Sequence, residues 1–299
     1  SEVPLNTLAE VYADHICQHL TKSPIQGTNP TNSYLQICRD YNDGKAERNK
    51  LIEATKRTGF RYVFDAFHNI SGGQLPLTFF SIDQETKQVV LHDEMLELVS
   101  LPQAQSLISE VDSRWSLVEA SWKMKLNRNI VSVSYDAQEA VFYEDNKQRR
   151  SNITSAKSAL NGYQKGHCFY CFSPISINSG SEKLADVDHF IPHAMRNTLD
   201  GLNVDGVWNL VLSCKGCNRG KGGKFDKIPE LELLDRLHQR NSYLIHSHHP
   251  LRETLISQTG KSDAARISFL QDVHSAACLN KIHTWSPKTF GPSPFEGKS

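Results

Sequence analysis

Apolar positions along the chain fall into short runs of changing period. Leu5, Leu8, Tyr12, Ile16 and Leu20 recur every three or four residues, which predicts a helix over residues 5–20. A Pro/Gly/Asn-rich stretch over 23–33 then breaks the pattern. A second helical pattern over 45–68 ends at Ser71-Gly72-Gly73, and apolar runs at 77–82 and 89–91 flank a polar turn and predict a hairpin. The longest helical pattern covers 102–126. Ala104, Leu107, Ile108, Val111, Trp115, Val118 and Trp122 share one face, and Pro102 suits a first turn. Residues 130–135 are β-prone, and 151–163 predict a helix. Gly220, Gly222 and Gly223 limit any helix there, whereas Leu231, Leu233, Leu234, Leu237 and Leu244 predict another. Pro287, Pro292 and Pro294 with Gly291 and Gly297 mark residues 286–299 as a tail.

These patterns predict an α+β protein with a helix-rich N-terminal domain over 1–150, a second domain over 151–285, and the tail. The 299 residues suffice for two domains, and 38% hydrophobic against 22% charged content predicts a folded core. No run of 18 apolar residues exists, which predicts no membrane span. The opening residues lack the layout of a secretory signal, so the expected location is the cytoplasm. The 33 basic and 33 acidic residues cancel, which argues against unaided tight binding of DNA. The basic residues are locally dense, however. Lys215, Arg219, Lys221, Lys224 and Lys227 fall within thirteen positions, opposed there only by Asp226.

Four of the seven cysteines form two pairs, Cys168-Phe169-Tyr170-Cys171 and Cys214-Lys215-Gly216-Cys217. Two intervening residues let both sulfurs of a pair reach one ion, and four thiolates satisfy tetrahedral zinc without leaving an open position. Such a zinc is structural. The 42 residues between the pairs must then be a folded insert. Cys17, Cys38 and Cys278 stand alone and are expected as small buried apolar residues. No thioredoxin-like βαβ pattern surrounds either pair, which weakens a redox reading.

The insert carries Asp186-Val187-Asp188-His189-Phe190-Ile191-Pro192, then Trp208-Asn209-Leu210, and Cys217 is followed by Asn218-Arg219-Gly220-Lys221. In this order the blocks resemble the HNH endonuclease superfamily, in particular the HNH domains of RNA-guided CRISPR nucleases and of zinc-stapled bacterial HNH proteins. The resemblance covers residues 163–225, roughly a fifth of the chain. It implies a ββα-metal fold, with a hairpin and a helix around one divalent ion. Asn209 matches the family's middle asparagine, which implies that it holds the loop and orients the imidazole. Asn218 stands where the family's name has its last histidine, and CRISPR-type members share that asparagine.

Residue chemistry agrees. Phosphodiester hydrolysis needs an activated water and charge relief at the phosphate. An imidazole titrates near neutrality, so His189 can take the water's proton. A carboxylate and an amide oxygen are hard donors, so Asp188 and Asn218 are the expected ligands of Mg²⁺ or Mn²⁺. Lys215, Arg219, Lys221 and Lys224 are expected phosphate contacts. DNA is the expected substrate, and the residues do not distinguish it from RNA. Asp186 shares a strand face with Asp188 and is expected behind it, not as a ligand. His193 and the tract His246-Ser247-His248-His249-Pro250 are expected in structured loops, and Trp115 and Trp122 in packing.

Residues 1–145 match no motif; target recognition, docking on a protein partner and restraint of the nuclease all fit, and the zero net charge favours docking. HNH modules with added domains occur in bacterial restriction and anti-phage defence, a role the resemblance permits. The competing function is an inactive zinc-stabilised nucleic-acid-binding or adaptor module. Retention of His189, Asp188 and Asn218 together favours the enzyme.

Overall fold

The computed structural model describes residues 1–27, 32–61, 63–70, 73–101, 104–123, 133–146, 149–199, 201–281 and 283–291. The chain divides into two compact units, Ser1–Ala104 and Gln105–Ser299. The boundary expected near 150 therefore falls inside the second unit. Of the predicted features, Pro102, the end of the long helix beyond Lys123, the start of the β-prone run and most of the tail lie outside the described residues.

The first unit opens with β1 (Glu2–Pro4) and α1 (Leu5–Lys22), then α2 (Ser33–Asn42). Asn32 caps α2, its Oδ1 accepting from Tyr34 N at 2.9 Å and Leu35 N at 3.2 Å. The helix expected over 45–68 is interrupted: α3 (Arg48–Ala54) runs into a π-helical turn (Thr55–Gly59) before α4 (Val63–Phe67). Thr55 and Thr58 hydroxyls donate back to Leu51 O and Ala54 O, both at 2.8 Å, a competition with the helical ladder that loosens it. Ala9, Ala13, Cys17 and Leu20 on α1 pack with Tyr34, Leu35, Cys38, Leu51, Ile52 and Phe60 to form this unit's core. Short strands β2 (Asn69–Ile70) and β3 (Gly73–Gln74) pair, and β4 (Phe80–Asp83) and β5 (Gln88–Leu91) make the expected hairpin. Strand β1 adds to β5, giving the order β1-β5-β4. Helix α5 (Asp93–Ser100) buries none of its residues.

The second unit begins with α6 (Ala104–Lys123). Its apolar stripe is covered only in part: Ile108 is 66% and Val111 61% exposed, Leu107, Trp115, Val118 and Trp122 are half-buried, and Glu110, Ser113, Leu117 and Ser121 beside the stripe are buried. A polar clamp explains the difference. Arg114 Nε donates to Glu110 Oε1 at 2.8 Å, and Arg114 Nη1 to Ser247 O at 3.1 Å. Glu110 lies so close to Gly162 that a Cβ there would run into its carboxylate. A buried charged pair with fixed partners outweighs two exposed aliphatic side chains.

Strands β6 (Ser134–Asp136), β7 (Val141–Asn146) and β8 (Arg149–Ser155) form an antiparallel sheet in that order, and α7 (Ala156–Gln164) follows. The helix expected over 151–163 thus starts late, because the backbone at Thr154 and Ser155 still pairs with Phe142 and Val141 of β7. Strands β9 (Asp186–His189) and β10 (Leu210–Ser213) form an antiparallel pair, and α8 (Lys215–Arg219) completes a ββα arrangement. All four β10 residues are buried. The free edge of β10 is satisfied by side chains. Gln164 Nε2 donates to Leu212 O, and its Oε1 accepts from Leu212 N, both at 2.7 Å.

Strand β11 (Ile228–Pro229), α9 (Leu231–His246), α10 (Arg252–Thr259), α11 (Asp263–Asn280) and β12 (Thr284–Trp285) finish the unit. Leu233, Leu234, Leu237 and Leu244 of α9 are buried as expected, but Leu231 is exposed. Arg240, fully enclosed, donates to the carbonyls of Val207, Trp208 and Leu210. In the tract 246–250, His249 is buried at the α9–α10 corner and accepts from Leu251 N at 3.1 Å. Residues 286–291 are not a loose tail. Gly291 N donates to Cys171 O at 2.7 Å, β12 pairs with β11, and Trp285 Nε1 donates to Gly222 O at 2.8 Å. No helix among the described residues is long and apolar enough to cross a membrane.

Candidate functional site

Two loops bring the paired cysteines together. In the first, Phe172 takes a left-handed conformation (φ 61°), Cys168 N donates to Ser173 O at 2.8 Å and Phe172 N to Cys168 O at 3.0 Å. Arg236 of α9 fastens this turn from outside. Its Nη1 donates to Phe169 O at 2.7 Å and Tyr170 O at 2.8 Å, and its guanidinium lies 4.1 Å from the centre of the Phe172 ring. In the second loop, Cys214 precedes α8 and its Sγ accepts from Cys217 N at 3.4 Å. Gly223 closes over this turn, where a Cβ would meet Gly216 O at 2.9 Å.

All four Sγ atoms lie within 4.8 Å of one another, and those of Cys171 and Cys214 are 3.8 Å apart. Ligands at zinc–sulfur distance around a tetrahedral ion stand about 3.8 Å apart, so the cluster is compatible with structural zinc. Hydrogen bonds among the sulfurs push the thiols of Cys168 and Cys217 up and pull Cys171 and Cys214 down. The four compete for protons in a way that a shared cation would relieve.

Strand β9 sends its side chains to opposite sides. On one side, Asp188 is buried, and its Oδ2 accepts from Tyr170 Oη at 2.6 Å and lies 3.3 Å from Lys224 Nζ. Burial raises the Asp188 carboxyl and lowers Lys224, and their mutual attraction opposes both shifts. On the same side, Asp186 Oδ2 accepts from Asn218 Nδ2 at 3.2 Å, its Oδ1 accepts from Arg219 Nη2 at 3.2 Å, and Arg219 Nε lies 3.0 Å from Oδ2. Asn218 therefore pairs with Asp186 and not with Asp188. Asp188 Oδ1 and Asn218 Oδ1 make no hydrogen bond among the described residues, which leaves one hard oxygen on each for a cation.

On the other side stands His189. Its Nε2 is 2.8 Å from Asp205 Oδ1, its ring centre 5.9 Å from that of Tyr135, and its Nδ1 makes no hydrogen bond among the described residues. Burial pulls the imidazole below its ordinary value, while Asp205 opposes the shift. His193 Nε2 lies 3.6 Å from the same Asp205 oxygen, and Arg196 Nη1 lies 4.0 Å from the other.

Asn209 is fully buried, and its amide is spent on backbone. Nδ2 donates to Ile191 O at 2.9 Å and Val204 O at 2.8 Å, and Oδ1 accepts from Ile191 N at 2.7 Å. It thus clamps the loop that leaves β9. Of the expected phosphate contacts, Lys215, Arg219 and Lys221 are exposed. Lys224 corrects the expectation: it is completely buried, bonded to Asp188 and donating to Phe225 O, and cannot meet a phosphate at the surface.

Residues 168–225, about a fifth of the chain, match the family model described as HNH endonuclease. This segment is an HNH domain. No curated protein and no solved structure matches the chain. The HNH domain contains both cysteine pairs, β9, β10 and α8, so the matched stretch and the ββα arrangement coincide. Two of its participants carried no sequence signal. Asp205 sits in an unpatterned loop, and Tyr170 is simply a residue between two cysteines.

Proposed function

We propose that the chain is a metal-dependent endonuclease that hydrolyses DNA phosphodiester bonds, with His189 as general base. The observation that carries this reading is the division of labour across β9. An imidazole with one engaged and one unengaged ring nitrogen stands on one side, and two carboxylates with an amide stand on the other. The two sides are close enough that Asp188 and His189 influence each other's ionisation.

In the proposed reaction His189 Nδ1 takes a proton from water. The water oxygen forms the new bond to phosphorus, and the bond to the 3′ oxygen breaks. Asp188 and Asn218 would hold a magnesium or manganese ion through their oxygens. Bound there, it would supply charge relief at the phosphate and at the leaving oxygen. Cys168, Cys171, Cys214 and Cys217 would hold zinc, whose part is structural. Lys215, Arg219 and Lys221 present positive charge towards the DNA backbone. Bacterial defence or restriction is the proposed setting.

The test is plasmid nicking with Mg²⁺ or Mn²⁺, with and without chelator. His189→Ala should slow cutting by about 10²–10⁴-fold and leave bound zinc unchanged. Undiminished cleavage by that variant would overturn the assignment.

A further inference from the structure

We infer that Asp205 is the positioning residue of the general base, holding His189 by Nε2 so that Nδ1 faces the water. The inference rests on the nuclease reading and deepens it. A carboxylate only accepts hydrogen bonds, so the 2.8 Å contact puts the imidazole hydrogen on Nε2. The lone pair is then on Nδ1, the nitrogen that has no hydrogen-bond partner among the described residues. When Nδ1 takes a proton from water, the ring becomes a cation, and the Asp205 charge already lies against it. A hydrogen-bonded carboxylate of this kind fixes both tautomer and orientation.

The placement of Asp205 is built into the fold. Asp205 N donates to Asn203 Oδ1 at 3.1 Å, and Trp208 Nε1 donates to Asn203 O at 3.0 Å. Asn209 then ties both partners together. One amide nitrogen bonds Ile191, two residues beyond the base, and Val204, one residue before the carboxylate. A single buried side chain thus keeps His189 and Asp205 in register. His193 and Arg196, exposed on a 3-10 turn (His193–Asn197), approach the outer side of the same carboxylate.

The experiment compares full-length Asp205→Ala and Asp205→Asn with the parent in single-turnover nicking, with zinc content and urea unfolding as controls. Loss of a supporting partner of this kind costs about 10–100-fold. The expected result is a rate loss of that size at saturating DNA, with half-saturation unchanged. Histidine-selective ¹⁵N labelling, with the His189 signal located by Asp205-independent difference against His189→Gln, supplies a second reading. The parent should show the Nε2–H form, and Asp205→Ala a mixture of forms. If Asp205→Ala misfolds, Asp205→Asn decides by the same two readings. Cleavage within about twofold of the parent, or an unaltered His189 signal, overturns the inference. Should His189→Ala still cut, the nuclease reading itself fails. Should His189→Ala be dead while Asp205→Ala cuts normally, only the role of Asp205 fails. If the parent does not cut at all, the nitrogen signals alone decide.

Discussion

The sulfur cluster and the imidazole lie in one short segment but are held in opposite ways. The four thiols converge because two tight backbone turns aim them at one another, with the Arg236 guanidinium as a cation acting on Cys168 and Cys171 from outside. The polar groups of β9 are each answered by the protein itself. His189 has Asp205, Asp188 has Tyr170 and Lys224, and Asp186 has Asn218 and Arg219. The first region is compatible with a shared metal ion, whereas the polar groups of the second already have protein partners. The difference teaches that stability and chemistry should separate cleanly by mutation.

The largest expected effect breaks the cage. Cys168→Ser leaves three thiolates around a site that needs four. Structural zinc contributes on the order of 10 kcal/mol in small domains, comparable to the whole stability of a typical protein. The variant should lose stoichiometric zinc and the cooperative unfolding of the second unit, read by chelator colorimetry and circular dichroism. A variant that keeps its melting curve would show the cage to be ornamental. His189→Ala is the mirror case, with activity lost and the melting curve kept.

The two regions also differ in how well the sequence announces them. Cysteine spacing and the Asp-His, Asn and Asn-Arg-Gly-Lys blocks are local, so the cage and the ββα element could be read along the chain. Asp205 could not. Its contact with His189 spans sixteen positions and is created by the turn at Asn203 and the clamp at Asn209. Lys224 misleads for the same reason: in a run of basic residues it looks like surface charge, and only the fold shows it enclosed against Asp188. In α6 the apolar stripe gave only part of the buried face, because period alone does not know about Glu110, Arg114 and Ser247. Strand β8 was hidden by the helical composition that follows it.

Lys224 joins the two regions, and its removal sharpens the boundary between them. Its backbone nitrogen donates to Cys217 O at 2.7 Å, and its ammonium meets Asp188. Lys224→Met would keep most of the volume and leave Asp188 buried with Tyr170 alone. Removing one partner of a buried pair costs about 3–5 kcal/mol. Urea unfolding should show that loss while zinc stays bound. A change under about 0.5 kcal/mol, the scale of surface substitutions, would mean that the hydroxyl of Tyr170 suffices to hold the carboxylate.

The smallest effect compares two imidazoles. His189 has a carboxylate partner, whereas His249 is sealed at the α9–α10 corner, accepts from Leu251 N, and faces Arg114 of α6 and Arg240 of α9. Burial, with those two cations, pushes His249 down from its ordinary 6.5 to about 3. The folded protein therefore refuses a proton that the unfolded chain accepts. Stability from the neutral ring is intact above pH 6.5 and declines as pH falls from there towards 3. The slope is about 1.4 kcal/mol per pH unit once the unfolded histidine is charged. Between pH 7.5 and 5.5 the parent should lose about 1.4 kcal/mol more than His249→Gln in urea unfolding. The subtraction removes every other titrating group common to both proteins. An equal loss in the two would mean that the ring is protonated in place, and that this corner, unlike the β9 site, tolerates a charge without a carboxylate to meet it.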